Sequence, residues 1–264
     1  MKLSDKKALF FDYDGTLYFG ENGYGERTLS ALKRAREKGC LLFYNSGRSL
    51  GHSDVDKIKD FGFEAYLLGG CHIYKDGKDV FRIDMSYSAA EIAASVSEKY
   101  NLKTIFEGVY NCYYNKKNQF LNWDNNFIAY DSLLEILEDF GEKPCSKLTI
   151  IKEKSGEKFL PMNDEALCEL KKTFTVIDFP DYTECMIKGC GKDFLIEKIM
   201  EIYSLKRENT YSFGDSMNDL PMIEATMHSA AIAHAPDGLK NKAEYVTKEE
   251  ENGVAEAMEY FKLI

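Results

Sequence analysis

The stretch Ala8-Leu9-Phe10-Phe11-Asp12-Tyr13-Asp14-Gly15-Thr16 joins a short apolar run to two aspartates that stand two positions apart. A short apolar run bounded by polar residues is typical of a strand buried in a sheet. In open α/β sheets, ligands bind beyond the carboxyl ends of the strands, which is where Asp12 and Asp14 would lie. Two such charges repel unless a cation neutralises them, and Mg²⁺ prefers hard oxygen ligands. Taken alone, the motif also fits a turn or a calcium loop.

The chain on either side of the middle alternates buried strands with amphipathic helices. Near the N-terminus we predict strand 8–11, helix 26–38, strand 41–44, a helix near 52–60 and strand 65–68. After Lys192 we predict helix 193–203, strand 210–214, a helix near 217–225, strand 229–233, a helix near 237–242, strand 244–247 and a last helix from Val254. This order is typical of a parallel sheet with helices on both faces.

The middle of the chain lacks this alternation. We predict a hairpin over 71–83 that turns at Asp76-Gly77, and a capping box at Ser88-Ala89-Ala90-Glu91 that opens a helix to about Tyr100. Further elements are expected as strands at 104–106, 110–114, 147–151, 174–178 and 183–187, with helices near 131–139 and 163–172. The predicted fold class is α/β: a doubly wound parallel-sheet core domain (1–83 and 188–264) with an inserted α+β domain (84–187).

Three more elements stand at ends of predicted strands or helices. The stretch Phe213-Gly214-Asp215-Ser216-Met217-Asn218-Asp219 follows a predicted strand. Taken alone, this stretch fits a helix N-cap, but two acidic loops at matching positions in one chain argue against coincidence. Asn45-Ser46-Gly47-Arg48 follows the second strand, where O–H and N–H groups can bind an anion, although such sequences are often simple turns. Lys192 precedes the helix that restarts the alternation. A lysine at such a position usually lies on a solvated face. It would matter for function if an anion such as phosphate were bound among the carboxylates, because that anion would need a nearby cation.

In this order the four elements resemble the haloacid dehalogenase superfamily. The insert between Ser46 and Lys192 resembles a type IIB cap, and the tail is similar to Cof-type phosphatases at Ala231-Ile232-Ala233-His234-Ala235, Ala243-Glu244-Tyr245-Val246-Thr247 and Gly253-Val254-Ala255. The resemblance implies a Rossmann-like core and a magnesium-dependent phosphatase that works through an aspartyl-phosphate intermediate. Its implied substrates are small phosphorylated metabolites, with sugar phosphates as the leading candidates. A phosphosugar mutase and a non-catalytic binding protein on the same fold are the alternatives.

The resemblance also implies roles for single residues. Asp12 would be the nucleophile and a metal ligand, and Asp14 the general acid/base with its backbone carbonyl on Mg²⁺. Asp215 would be the other direct ligand, and Asp219 would hold waters around the metal. The phosphoryl group would be bound by Ser46, Gly47, Lys192 and Asn218. Because Asp14 must carry a proton during part of the cycle, we expect its side chain to lie off the metal and to be partly desolvated.

The sequence departs from the family pattern in four regions. Gly69-Gly70 stands where Asn-Gly is usual, and Ser46 replaces a commoner threonine but keeps the hydroxyl. Lys188 and Lys192 both lie in the lysine region, and we favour Lys192 because it adjoins the helix. His234 stands where a small or amide residue is usual; it could face the active site, but we expect it to be packed or solvated.

Composition limits the partners and the compartment. The 264 residues carry a net charge of −10, which argues against a nucleic-acid binder. No apolar run approaches a membrane span, and the N-terminus shows no signal region. We therefore expect a cytoplasmic protein, a monomer or weak homodimer, whose partner is a small phosphorylated substrate. The seven cysteines lack a zinc-site spacing and are expected to be reduced. Trp123 is a candidate for stacking on a sugar or base, or for a dimer contact.

Overall fold

The computed structural model describes residues 2–53, 55–118, 126–138 and 140–264, so the predicted role of Trp123 lies outside the described residues. The strands are β1 (Ala8–Phe11), β2 (Leu41–Ser46), β3 (Ala65–Leu68), β4 (His72–Lys75), β5 (Lys78–Arg82), β6 (Lys103–Gly108), β7 (Cys112–Asn115), β8 (Phe127–Tyr130), β9 (Cys145–Ile151), β10 (Lys154–Ser155), β11 (Lys158–Phe159), β12 (Phe174–Asp178), β13 (Tyr182–Ile187), β14 (Thr210–Gly214), β15 (His228–Ala231) and β16 (Tyr245–Val246). The α-helices are α1 (Glu26–Glu37), α2 (Val55–Ile58), α3 (Tyr87–Lys99), α4 (Asp164–Thr173), α5 (Lys192–Tyr203), α6 (Leu220–Ala225), α7 (Asp237–Lys240) and α8 (Gly253–Tyr260).

The chain divides into two compact units. The first comprises Met1–Gly47, Val55–Phe81 and Gly191–Ile264, and the second comprises Arg48–Asp54 and Arg82–Cys190. The sequence analysis assigned residues 48–54 to the core domain, whereas the structure groups them with the inserted residues. The chain therefore passes from the first unit to the second directly after Gly47.

The first unit is built on an eight-stranded sheet in the order β16-β15-β14-β1-β2-β3-β4-β5. The strands from β16 to β3 run parallel, and β4 is antiparallel to β3. Leu9 and Phe11 of β1 pack in one cluster with α1 and α8, while Ala8 and Phe10 pack in another with α5 and α6. Since successive strand residues point to opposite faces, helices cover both faces, and the predicted α/β class is confirmed.

The second unit is built on a sheet in the order β12-β13-β9-β6-β7-β8, with β10 and β11 as a separate small hairpin. Its core places Phe106, Leu148 and Cys185 of the sheet against residues of α3 and α4. The capping box predicted at Ser88 is wrong: the helix begins at Tyr87, and the Oγ of Ser86 accepts the N–H of Ala89 at 3.2 Å. An equally good acceptor two positions earlier therefore caps the helix.

Among the described residues, no helix combines the length and the apolar character needed to cross a membrane.

Candidate active site

Asp12 lies at the centre of the sheet edge formed by the carboxyl ends of the parallel strands. Its strand, β1, runs between β14 and β2, with Phe11 paired to Phe213 on one side and to Tyr44 on the other. The N–H of Asp12 continues the ladder by donating to the carbonyl of Phe213 at 3.0 Å. The side chain is buried, and carboxylate oxygens of Asp12, Asp215 and Asp219 lie within 4.8 Å of one another. The order of the strands in the sheet thus brings both acidic loops together.

Lys192 supplies a positive charge inside this group of carboxylates. It is the first residue of α5, and its buried Nζ donates to Asp12 Oδ1 and, at 2.5 Å, to Asp219 Oδ1. Burial alone would lower the pKa of Lys192, but Asp12 and Asp219 outweigh it and raise the pKa above its usual range. The other candidate, Lys188, is exposed and donates to the carbonyl of Lys172 at 2.6 Å.

One ammonium group does not balance the three carboxylates. Burial and the charges of Asp219 and Asp215 raise the pKa of Asp12 well above its ordinary value, despite the opposing effect of Lys192. Burial and Asp219 likewise raise the pKa of Asp215. A raised pKa means that the ionised form is disfavoured without further positive charge. An all-oxygen donor set with excess negative charge fits a hard divalent cation.

Asp215 is held at both of its carboxylate oxygens. Thr16 Oγ1 donates to Oδ1 at 2.9 Å, and His234 Nε2 lies 3.3 Å from Oδ2. Gly15 is required between the two loops, because it has φ +82° and a Cβ there would lie 2.5 Å from Asp215 Oδ2. His234 is exposed, as expected, and its ring also faces Asp215. Its departure from the family pattern was the only signal that could have placed it here.

Asp219 organises the second acidic loop. Its Oδ2 accepts the backbone N–H groups of Asp215 at 2.9 Å and Ser216 at 3.0 Å, while its Oδ1 accepts from Lys192. The carboxylate therefore fixes both the loop and the ammonium group. Asn218 Oδ1 accepts from Ser216 Oγ at 2.6 Å, and its predicted contact with phosphate stays a prediction.

A model of the haloacid dehalogenase-like hydrolase family matches residues 9–258. The chain belongs to this family. The phosphoglycolate phosphatase of Staphylothermus marinus is 28% identical over 255 residues, which are 94% of this chain and 94% of that one. A Streptococcus pyogenes protein described as a bifunctional phosphatase/peptidyl-prolyl cis-trans isomerase is 26% identical over 98% of this chain, and the chain spans 54% of its length.

A solved structure described as a haloacid dehalogenase (HAD) subclass IIB sugar phosphatase has a TM-score of 0.82 at 24% identity. The match covers 98% of this chain and 100% of that one. The family predicted from the motifs is confirmed. The family match and these relatives support the predicted enzyme class, a hydrolase of phosphoric monoesters.

In this haloacid dehalogenase-like hydrolase, two contacts missed by the sequence analysis fix the start of α5. Asn45, on β2 next to the buried Ser46, donates from Nδ2 to the carbonyl of Lys192 at 3.2 Å. The N–H of Gly191 donates to the carbonyl of Gly70 at 3.0 Å. Gly70 has φ +74°, and a Cβ there would lie 3.0 Å from the Gly191 backbone. The departure at Gly69-Gly70 thus belongs to a turn that packs closely under Lys192.

Asp14 differs from the expectation of partial desolvation, because it is exposed. The chain turns back after Asp12: the N–H of Tyr18 donates to the carbonyl of Tyr13 at 2.9 Å, and that of Gly15 to the carbonyl of Tyr18 at 2.8 Å. This turn carries Asp14 away from the buried edge. The two aspartates of the motif therefore have different surroundings, one buried among charges and one in contact with solvent.

Proposed function

We propose that this protein is a magnesium-dependent phosphatase that transfers the phosphoryl group of a small phosphorylated metabolite to Asp12 and then to water. The observation that carries the proposal is the position of Asp12, buried at the sheet edge with the Lys192 ammonium on its Oδ1 and with Asp215 beside it. A carboxylate that is ionised attacks phosphorus without a base to activate it. The nearby positive charge offsets the charge on the phosphoryl oxygens as Asp12 approaches.

In this proposal a small set of groups binds the transferring phosphoryl group. Ser46 and Gly47 present the hydroxyl and N–H at the end of β2, next to β1 in the sheet, and Lys192 adds its ammonium group. Asn218 assists from the second acidic loop. Asp219 holds Lys192 in place through the contact at 2.5 Å, so that the ammonium is oriented before substrate arrives.

Asp14 moves the protons. As the bond between phosphorus and the leaving oxygen breaks, Asp14 donates a proton to that oxygen and the alcohol departs. Asp14, now ionised, takes a proton from a water that attacks the aspartyl-phosphate, and Asp12 and inorganic phosphate are released. Since Asp14 is exposed in the structure, the bound substrate must supply the desolvation that this role requires.

The carboxylates of Asp12 and Asp215, with the backbone carbonyl of Asp14, would hold Mg²⁺. The ion would neutralise charge that develops on the phosphoryl oxygens. Thr16 and His234 would keep the Asp215 carboxylate in one orientation through the contacts at 2.9 and 3.3 Å. Carboxylates fixed in this way lose little side-chain freedom when a ligand binds.

The substrate class is tested by a screen of phosphorylated metabolites with Mg²⁺, in which release of inorganic phosphate is measured. We expect release from small phosphate monoesters, sugar phosphates above all, without a bisphosphate activator. A requirement for such an activator, with transfer of phosphate between positions on a sugar, would instead favour a mutase. Equal release in Mg²⁺ and in EDTA would contradict the metal assignment.

Mg²⁺ should also stabilise the fold in the absence of any substrate. A ligand that binds only the folded state stabilises it by about 2.7 kcal/mol at a hundred times its dissociation constant, so the unfolding temperature of metal-free protein should rise on titration with MgCl₂. The variant Asp215→Asn removes one ligand and should lose most of this increase. If Asp215→Asn responded to Mg²⁺ as the wild type does, Asp215 would not be a ligand.

A further inference from the structure

A second group of buried charges lies within the inserted unit, on three neighbouring strands. Glu107 of β6, Lys147 of β9 and Glu184 of β13 are all buried. Lys147 Nζ lies 2.6 Å from Glu184 Oε1 and 3.5 Å from Glu107 Oε1. Burial alone would raise the pKa of Glu107, but Lys147, with His52 and Thr149, outweighs it and holds the pKa below its usual range. Glu107 is therefore charged at neutral pH.

The two oxygens of Glu107 have different partners. Oε1 accepts from Thr149 Oγ1 at 2.5 Å and faces Lys147. Oε2 accepts the backbone N–H of Ser49 at 3.2 Å and lies 3.3 Å from His52 Nδ1. Hydrogen bonds to an ionised acceptor are stronger than neutral ones. One charged oxygen of the inserted unit thus holds residues 49 and 52 together.

The same short segment is also packed closely on the inserted unit. A Cβ at Gly51 would lie 2.7 Å from the carbonyl oxygen of Gly108 and 3.0 Å from the N of Asn111. The ring of His52 meets Phe127 edge-on, with centroids 5.5 Å apart. Electrostatic and steric contacts therefore act together on residues 49–52.

This segment continues directly from the residues that bind phosphate in the proposed function. Ser46 and Gly47 end the first unit, and Arg48 begins the second. Only Gly47 and Arg48 lie between Ser46 and Ser49 in the chain, so a bond to the N–H of Ser49 limits the backbone conformations open to the Ser46–Gly47 loop. A small displacement of a group that positions substrate can cost about a hundredfold in rate.

We propose that Glu107 is a positioning residue for the Ser46–Gly47 phosphate-binding loop, acting through Ser49 and His52. The inference rests on the proposed function, because the loop that Glu107 would position is the one that binds phosphate there. A merely structural role would stabilise the unit without changing the affinity for phosphate.

The test compares Glu107→Gln and His52→Ala with the matched control Thr149→Val. The first variant removes the charge but leaves Lys147 paired with Glu184. The second removes one of the two partners of Glu107 in the segment, together with the ring that meets Phe127. The control removes a hydrogen bond to the other oxygen of the same carboxylate. For each full-length protein in Mg²⁺, the dissociation constant of inorganic phosphate is measured by calorimetry, kcat and KM by turnover of a phosphate ester, and the unfolding temperature by a thermal melt.

We expect Glu107→Gln and His52→Ala each to weaken phosphate binding and lower kcat/KM by about tenfold. The double variant should be little worse than Glu107→Gln alone, because that change already breaks the charged contact with His52. Thr149→Val should keep both constants within about twofold while losing some thermal stability. Phosphate affinities in both variants that equal the wild type and the control would overturn the inference, whatever the rate of turnover. A wild type that releases no phosphate, yet whose phosphate affinity still depends on Glu107, would overturn only the proposed reaction.

Discussion

Replacement of Asp12 by asparagine is expected to reduce kcat by at least about 10⁴-fold, because loss of a nucleophile removes most of the acceleration that an enzyme of this kind provides. The amide has no negative charge with which to attack phosphorus. Wild-type protein that is quenched with acid during turnover of a phosphate ester should carry one covalent phosphoryl group, as measured by intact-protein mass spectrometry. The variant should carry none. Asp12→Ala should behave in the same way, which guards against restoration of the carboxylate by deamidation.

The same substitution is expected to leave the metal-free fold as stable as the wild type, or more so. Burial and the charges of Asp219 and Asp215 raise the pKa of Asp12 in the folded state. A carboxylate with a raised pKa destabilises the fold above its unfolded pKa of about 3.9, and the penalty disappears as the pH falls. Asparagine carries no such penalty at neutral pH, and Lys192 keeps its bond to Asp219. The unfolding temperature in EDTA should therefore not fall.

The control for this pair of results is Asp60→Asn, an exposed position in the first unit. It should change neither kcat nor the unfolding temperature measurably, since exposed substitutions usually stay within about 0.5 kcal/mol. An Asp12→Asn protein that turns over a phosphate ester at more than a few per cent of the wild-type rate would exclude Asp12 as the nucleophile. A large loss of stability would mean that Asp12 is chiefly the partner of Lys192.

The site could be predicted where strand order determines it. Asp12 and Asp215 follow strands that pair directly in the sheet, and parallel neighbours end at the same edge, so two acidic loops in the right order must meet. The position of His234 could not be predicted in this way. It follows β15, the next strand along, and whether its ring turns toward Asp215 depends on side-chain packing that leaves no periodic signal. Asn45 is similar, because its partner is a backbone carbonyl at the start of α5.

The inserted unit was predicted less well for two physical reasons. Ser86 and Ser88 are equally good helix caps by residue type, so only the backbone geometry could decide between them. Residues 48–54 group with the second unit, and Ser49 and Gly51 of this segment lie against Glu107 and Gly108, which stand more than fifty residues later in the chain. Contacts at that separation have no local signature in the sequence. Asp14 is exposed for a comparable reason, since the turn after Asp12 and not the motif sets its surroundings.

Replacement of Lys192 by methionine is expected to damage both activity and stability. Methionine fills much of the space of the lysine stem but leaves Asp12 and Asp219 buried without the ammonium that now bridges them. Removing one partner of a buried ion pair typically costs about 3–5 kcal/mol, and loss of a group that stabilises the transition state costs about 10²–10³ in kcat. Chemical denaturation and turnover of a phosphate ester measure the two effects separately.

Lys188→Met is the matched control, because it makes the same chemical change four residues earlier in the chain. Lys188 is exposed and bonds a backbone carbonyl, so the free energy of unfolding should change by no more than about 0.5 kcal/mol and kcat should be unaltered. Mg²⁺ should recover part of the stability lost by Lys192→Met, since a divalent cation neutralises the same carboxylates, but it should not recover kcat. A loss of turnover in Lys188→Met with full activity in Lys192→Met would reverse the assignment of the phosphate-binding lysine.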